Sequence, residues 1–316
     1  MATPGMDSAI ITGATGLLGR ALSSRLAANG IPTVCVGRRP LSVDEITTAF
    51  CAPTITYLQI QPHGFKMLPT AVLQSGWRPG SSCVWYHCAW GGASTLTDGA
   101  FETQFANATD AADAVLAAHE IGCRTFVNVG SMEETLAEQH IREKPAQPYS
   151  SSQPHYAISK LAARDMCRIV AYLNKIDYIH ARLSAPIHHK LLKGGYIART
   201  LKSILERRPY APPRNLQLYD IVVDSDVAHA LHLIGLHGRN TADYFIGTGS
   251  PRPLLDYFVA AQEIVAGGTP ATPTLAGDRE AGPFTIEVLA ADTGYRPVFS
   301  FEQFIRSFVN SCGKQS

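Results

Sequence analysis

Ile10-Ile11-Thr12-Gly13-Ala14-Thr15-Gly16-Leu17-Leu18-Gly19-Arg20 is the stretch on which the fold of this 316-residue chain turns. It reads as a short buried strand that passes through a glycine-rich turn into a helix beginning near Thr15, with Leu17, Leu18, Ala21, Leu22, Leu26 and Ala27 as its apolar positions. Gly13, Gly16 and Gly19 are spaced Gly-x-x-Gly-x-x-Gly. One glycine of such a set allows a tight turn, one lets backbone approach a pyrophosphate, and one lets the helix pack closely on the strand. The helix N-terminus then offers free N–H groups and partial positive charge to an anion, which makes Gly13, Thr15, Gly16, Leu17, Leu18 and Gly19 the candidate cofactor-binding residues of this turn.

Glycines also punctuate turns that bind nothing, so the context carries the argument. An apolar run (Ser8-Ala9-Ile10-Ile11) precedes the motif, and a second one, Pro32-Thr33-Val34-Cys35-Val36, follows the helix and ends in Gly37-Arg38-Arg39. With this strand-helix-strand unit the chain resembles the extended branch of the short-chain dehydrogenase/reductase superfamily, which contains nucleotide-sugar epimerases, dehydratases and ketoreductases. The resemblance implies an α/β fold: a doubly wound, mostly parallel Rossmann sheet with a smaller C-terminal substrate lobe. It puts residues 1–183 in the dinucleotide-binding domain, with 219–250 returning to it, and residues 184–218 and 251–316 in the lobe.

The end of the second strand bears on which dinucleotide fits. A carboxylate there would hydrogen-bond the adenosine ribose of NAD, whereas guanidinium groups accommodate the 2′-phosphate of NADP. Arg38 and Arg39 stand at this place, with no carboxylate before Asp44, and the expected cofactor is NADP(H) in preference to NAD(H). Either arginine alone also reads as part of a solvated loop.

A net charge of +1 makes no electrostatic case for nucleic acid or an anionic membrane. No apolar run approaches the roughly 20 residues of a membrane helix, and the first residues lack a basic-then-apolar signal pattern, so a cytoplasmic protein is expected. The 7 cysteines form no Cys-x-x-Cys pair, and the 11 histidines, His188 and His189 included, show no ligand spacing supported by cysteine or carboxylate. Reduced thiols and no metal are the expectation.

Residues 54–60 alternate as a third strand, after which related enzymes often place an aspartate against adenine; Gln59 to His63 offers only Gln, Pro and His. The run from Ser82 to His87, ending in Cys88-Ala89-Trp90-Gly91-Gly92, resembles the family's His-x-Ala segment, whose small residues pass under the cofactor. That resemblance makes Ala89 and Trp90 cofactor neighbours, with Trp90 either a wall of the substrate site or plain core. Helical spacing of Phe105, Ala108, Ala111, Ala112, Val115 and Leu116 predicts a helix over 101–121 that stops at Gly122. Asn107 inside it matches a structural asparagine of the family or simply faces solvent.

The predicted strand from Thr125 to Val129 leads into Gly130-Ser131-Met132-Glu133-Glu134, and downstream stands Tyr156-Ala157-Ile158-Ser159-Lys160. A tyrosine and a lysine one helical turn apart share a face. A phenol with an ordinary pKa of ~10 must exchange a proton near neutrality, and a neighbouring ammonium together with an oxidised nicotinamide favours phenolate. By resemblance Tyr156 is the general acid/base, Lys160 its tuner and a ligand of the nicotinamide ribose, and Ser131 the residue that orients the substrate oxygen.

Sugar-nucleotide 4,6-dehydratases carry Thr-Asp-Glu where this chain has Ser131-Met132-Glu133, and a methionine cannot protonate a leaving hydroxyl. Dehydration by that route is disfavoured; Glu133 either lines the site with Met132 or is an exposed loop carboxylate. A further strand is expected over 176–183. The family's Asn and Tyr-Gly-Pro are missing after it, where Ser184-Ala185-Pro186-Ile187 stands. The most basic segment follows, and by resemblance Lys193, Arg199 and Arg214 are candidates for a nucleotide diphosphate, a solvated helix face being the competing reading. Asp224 and Asp226 are expected to serve as turn and N-cap of a helix, Tyr244 to Ser250 to give the last strand, and 251–316 to build two helices.

The function expected from these residues is NADP(H)-dependent ketoreduction of a nucleotide-linked keto (deoxy)sugar, hydride moving between nicotinamide and a sugar carbon while Tyr156 transfers the proton. A sugar epimerase with tightly held NAD(P) uses the same residues, and a non-catalytic NADP-binding regulator would need no acid/base tyrosine. Dimers through the helices flanking the tyrosine are frequent in relatives.

Overall fold

The computed structural model describes residues 5–50, 53–92, 100–143, 153–191, 195–213, 218–270 and 284–312. Its centre is a seven-stranded parallel sheet of β1 (Ser8–Thr12), β2 (Thr33–Gly37), β3 (Ile55–Gln59), β4 (Cys83–His87), β5 (Thr125–Ser131), β6 (Asp177–Leu183) and β10 (Asp243–Ile246). Three short strands, β7 (Ala185–Ile187), β8 (Leu218–Tyr219) and β9 (Ile221–Val223), precede β10 in the chain, and β11 (Arg252–Pro253) follows it. The spatial order is β10-β6-β5-β4-β1-β2-β3, so the chain reverses direction across the sheet between β1 and β4, where open α/β sheets form their ligand crevice.

Buried side chains alternate along the strands to feed a core on each face. In register, Ile11 lies beside Cys35 and Tyr86, Tyr86 beside Val127, and Val127 beside Ile179, all on one side. Leu22 and Leu26 of α1 (Leu17–Ala28) close that layer together with Val227, Leu231 and Ile234 from the helix after β9. Ile10, Val34, Trp85, Phe126 and Tyr178 point to the other side. Of the next helices in the chain, α2 (Val43–Phe50) joins β2 to β3, and α3 (Leu68–Gln74) covers the second face with α4 (Phe101–Ile121), α5 (Met132–Glu143) and α6 (Pro154–Leu173). Burial on both faces is what a parallel sheet requires. Ala108, Ala111, Ala114, Ala117 and Ala118 keep the inward side of α4 small, and α4 ends at Gly122 with φ 93, the left-handed cap that glycine provides.

A third core belongs to the smaller lobe, built from β7, β9, α7 (Tyr196–Leu205), and, after α8 (Asp224–His237), α9 (Leu254–Val265) and α11 (Phe301–Cys312). Between the last two, α10 (Glu287–Thr293) packs back on α8, and Leu289 and Tyr295 enter the first core. The described part of 251–316 thus holds three helices, not the two expected.

Asp224 and Asp226 are not caps. The N-cap of α8 is Val223, without a side-chain bond. The Asp224 carboxylate accepts the His189 N–H at 3.1 Å, and Asp226 accepts the N–H groups of Val298 and Phe299 at 3.1 Å each. Both carboxylates therefore tie loops to α8. A third, Asp220, is fully buried and accepts N–H bonds from Thr248 and Gly249 at 2.8 Å each. Gly247 is glycine because a Cβ there would lie 2.3 Å from Asp220 Oδ2.

Removing that carboxylate strands buried donors, each worth about 1–3 kcal/mol. Asp220→Ala is expected to lower the unfolding free energy by about 3 kcal/mol in urea denaturation; a loss under about 1 kcal/mol would show that these loops do not depend on it.

Candidate active site

At the reversal between β1 and β4 lies a groove of about 550 Å³. Gly13, Thr15 and Gly16 line it from the first turn, Val36 to Arg38 from β2, Ile60 to His63 from β3, and Cys88 to Gly92 from β4, with α4 as its outer wall. Each glycine of the motif has its own reason. Gly13 has φ +72, and a Cβ on it would lie 2.8 Å from the backbone of Cys88 and Ala89. A Cβ on Gly19 would lie 2.3 Å from the Gly13 carbonyl oxygen, so this residue lets α1 close on the turn. Gly16 is exposed to the groove and is the N-cap of α1, with no side chain capping it and no acidic residue in the first turn. The helix starts at Leu17, two residues later than the expected start near Thr15, and leaves its first N–H groups open toward the groove. This cradle fits the pyrophosphate of a dinucleotide.

Leu18 is half-buried against the first core, while Leu17 is also half-buried and does not line the groove. Arg38 and Arg39 are both exposed, and they differ: Arg38 lines the groove, whereas Arg39 is 3.4 Å from Glu45. Among the described residues no carboxylate pairs with Arg38. Where relatives place an aspartate against adenine, the wall is Gln61, Pro62 and His63. His63, at φ +62, is held by Asp110 of α4, which accepts its N–H at 3.2 Å and faces its Nδ1 at 2.9 Å. Asn107 is the structural residue of the two readings: its Oδ1 accepts the Gly91 N–H at 2.8 Å, and its Nδ2 donates to the Gly91 carbonyl at 3.1 Å.

Beyond Trp90 the structure gathers Ser131, Tyr156 and Lys160. Ser131 is the last residue of β5, Tyr156 and Lys160 stand one turn apart in α6, and a hydrogen bond joins Tyr156 to Ser131. The Ser131 hydroxyl also accepts the Glu133 N–H at 3.2 Å. Lys160 is buried and donates to the Val129 carbonyl at 2.8 Å, its Nζ 5.9 Å from the Tyr156 ring centroid. Burial raises the Tyr156 pKa above the ordinary phenol range; the Ser131 bond works against this, and the charges of Glu134 and Glu133 add to it. The phenol is thus held in its acid form. The Lys160 ammonium is pushed down to about 8, chiefly by burial, with Glu134 drawing it back up.

Glu133 is not an exposed loop carboxylate: it is buried in the first turn of α5, as is Met132, whose sulfur accepts the Ser184 hydroxyl at 3.5 Å. Glu134, which sequence reasoning passed over, lies deeper. Fully buried, it accepts the Ser131 N–H at 2.8 Å and the His180 Nε2–H at 2.7 Å. A Cβ on Gly130 would lie 2.5 Å from His180 Nε2 and 2.6 Å from Glu134 Oε1, so the pair occupies the space that this glycine leaves. The one available signal was a carboxylate three residues after Ser131, the spacing that caps a preceding N–H.

Of the lobe candidates, Arg199 is exposed on α7, and Lys193 and Arg214 lie outside the described residues. His188, His189 and Asp224 bring three possible metal-ligand atoms within 4.8 Å of one another. The imidazoles stack at 4.4 Å with planes 20° apart, so their in-plane lone pairs run side by side, and we assign no metal to them. No described helix is long and apolar enough to cross a membrane.

A parallel Rossmann sheet, a glycine cradle and a Ser-Tyr-Lys group define the class: a nicotinamide-dinucleotide enzyme of the short-chain dehydrogenase/reductase type. The chain belongs to the NAD dependent epimerase/dehydratase family, whose profile matches residues 9–247. No curated protein matches it. Among solved structures it is similar to a UDP-glucose 4-epimerase of Thermotoga maritima with UDP-glucose (14% identity, TM-score 0.71, 98% of this chain and 99% of that one). WbmG of Bordetella bronchiseptica in complex with NAD gives 15% identity and a TM-score of 0.71 over 98% and 95%. A Thermus thermophilus UDP-glucose 4-epimerase complexed with NAD gives 17% and 0.70 over 96% and 98%. At these identities the likeness is one of fold.

Burial alone would push the Glu134 carboxyl up, but the charge and hydrogen bond of His180, then Lys160 and Arg182, hold it below the usual range. A lowered folded-state value adds stability above the unfolded pKa of about 4.3, and that stability is lost as pH falls through the folded value. Glu134→Gln is therefore expected to cost about 2–3 kcal/mol at pH 7, with the gap to the wild type narrowing below about pH 4. Urea unfolding across pH measures it, and a gap that stays constant into acid would contradict the assignment.

Proposed function

We propose that this chain is an NADP(H)-dependent reductase of a nucleotide-linked keto sugar. The observation that carries the cofactor choice is Arg38: it lines the groove at the end of β2 and is unpaired by carboxylate among the described residues, and β2 ends in Gly37, not an acid. A guanidinium so placed matches a 2′-phosphate in charge and geometry.

The nicotinamide, when bound, supplies or withdraws a hydride. The protein's own part is proton transfer and placement. Ser131, fixed by Glu134 through its N–H, orients the substrate oxygen together with Tyr156. Tyr156, kept protonated by burial, gives its hydroxyl proton to that oxygen as the carbonyl becomes a carbinol. Lys160 then stands near enough to stabilise the phenolate left behind. Met132, without a titratable group, disfavours the acid step of a 4,6-dehydration. Arg199, Lys193 and Arg214 remain candidates for the nucleotide diphosphate.

A second reading, an epimerase retaining NAD(P), is favoured by the neighbours, whose names are those of sugar-nucleotide epimerases. The proposal also includes a homodimer through the outward faces of α4 and α6, which expose Phe105, Leu116, Ile158 and Ile169. A cytoplasmic setting suits the free thiols of Cys35, Cys83, Cys88, Cys123 and Cys167.

Arg38→Ala is expected to weaken NADPH binding by about 10- to 100-fold in fluorescence titration, the worth of a charged hydrogen bond, and to leave NADH within about twofold. Equal losses for both, or tighter NADH binding by the wild type, would refute the NADP assignment. Tyr156→Phe is expected to keep NADPH affinity and to lose at least about 100-fold in turnover of a nucleotide-linked keto sugar.

A further inference from the structure

Trp90 is the unexpected side chain at this site. It stands among small residues, Cys88-Ala89 before it and Gly91-Gly92 after it, where the chain passes along the groove. Its indole is fixed on two sides: Nε1–H donates to Gln104 Oε1 at 2.8 Å, Gln104 being buried, and the Tyr156 ring meets it edge-on at 5.9 Å. On its face, 3.8 Å from the centroid, lies Lys160 Nζ.

We propose that Trp90 is a positioning residue for Lys160, its indole face and the Val129 carbonyl forming a two-point seat that holds the ammonium beside Tyr156. The inference rests on reading Lys160 as the lysine of the reaction. A lysine head swings on a flexible four-carbon stem, and one hydrogen bond does not fix it. The negative face of an aromatic ring attracts a cation within ~6 Å, most strongly for tryptophan and where water is scarce. Among the described residues no carboxylate lies within salt-bridge reach of Lys160, so the ring and the carbonyl are its local holders.

The seat carries an optical signature, because a charged ammonium against an excited indole quenches its emission and a neutral amine does so less. The titratable groups facing Lys160 are His87 and Cys88 at the end of β4, Glu134 on α5, and Tyr156 and Cys167 on α6, with Glu133 facing Tyr156. Burial pushes His87 down to about 3, Cys88 up to about 12, and Cys167 and Tyr156 upward, while Glu134 is held below its ordinary range. Around pH 8 the ammonium is the member of this group that changes charge.

The test follows emission from about pH 6 to about pH 10, the span between ordinary His and Tyr titrations. Subtracting a Trp90→Phe variant removes Trp77 and Trp85, and circular dichroism checks each fold. In the wild type the Trp90 emission is expected to rise with a midpoint near 8. Lys160→Met is expected to stay at the high-pH level throughout. Lys160→Arg, whose guanidinium does not deprotonate, is expected to stay at the low level. Trp90 emission at pH 7 that is no lower in the wild type than in Lys160→Met, or either lysine variant retaining the step, overturns the seat; if Lys160→Met does not fold, Lys160→Arg decides alone. No substrate or cofactor enters the measurement, so failure of the seat is distinct from failure of the enzymatic reading, which NADPH binding and Tyr156→Phe test.

Discussion

Between Gly13 and the backbone of Cys88 and Ala89 there is no room for a methyl group. That contact joins the ends of β1 and β4 at the point where the chain reverses across the sheet, and the groove exists because of it. Gly13 turns at positive φ, α1 begins close behind, and Gly19 lets the helix settle on the turn, so that its open N–H groups face the crevice. Everything chemical is placed relative to this junction. Trp90 continues from Ala89, Ser131 ends the next strand over, and α6, packed on α4, carries Tyr156 and Lys160 to meet both.

Around the tyrosine the protein arranges charge at two depths. Glu134 and His180 lie fully buried behind Ser131, where water cannot screen them, and fix the serine by its backbone. The charges of Glu134 and Glu133 disfavour phenolate, the Ser131 hydrogen bond opposes them, and the Lys160 ammonium stands 5.9 Å from the centre of the tyrosine ring. The tyrosine is therefore an acid at rest, the state that reduction of a carbonyl needs at its start.

Local signals carried much of this. The glycine spacing, the apolar runs of β1, β2 and β4, and the helical period of α4 are short-range patterns, and the structure follows them to within a residue or two. What escaped depends on contacts distant in sequence. Glu134 looks like any helix carboxylate until β6 brings His180 against it. Asp224 and Asp226 have the residue type of helix caps, but their partners, His189 and the backbone at Val298 and Phe299, come from elsewhere in the chain. The third lobe helix, α10, was missed because seven residues carry little period, and its burial depends on α8. Lobe residues proposed for the nucleotide rested on the family resemblance and on charge, and charge does not separate a solvated face from a ligand contact.

The central claim is a groove that takes up NADP(H) reversibly for net reduction. Mass and absorbance analysis of the purified protein, before and after denaturation, tests it most directly. The account predicts a protein free of stoichiometric dinucleotide that binds added NADPH reversibly. Stoichiometric NAD(P)+ released only on unfolding would contradict it and assign the site to a cofactor recycled in place.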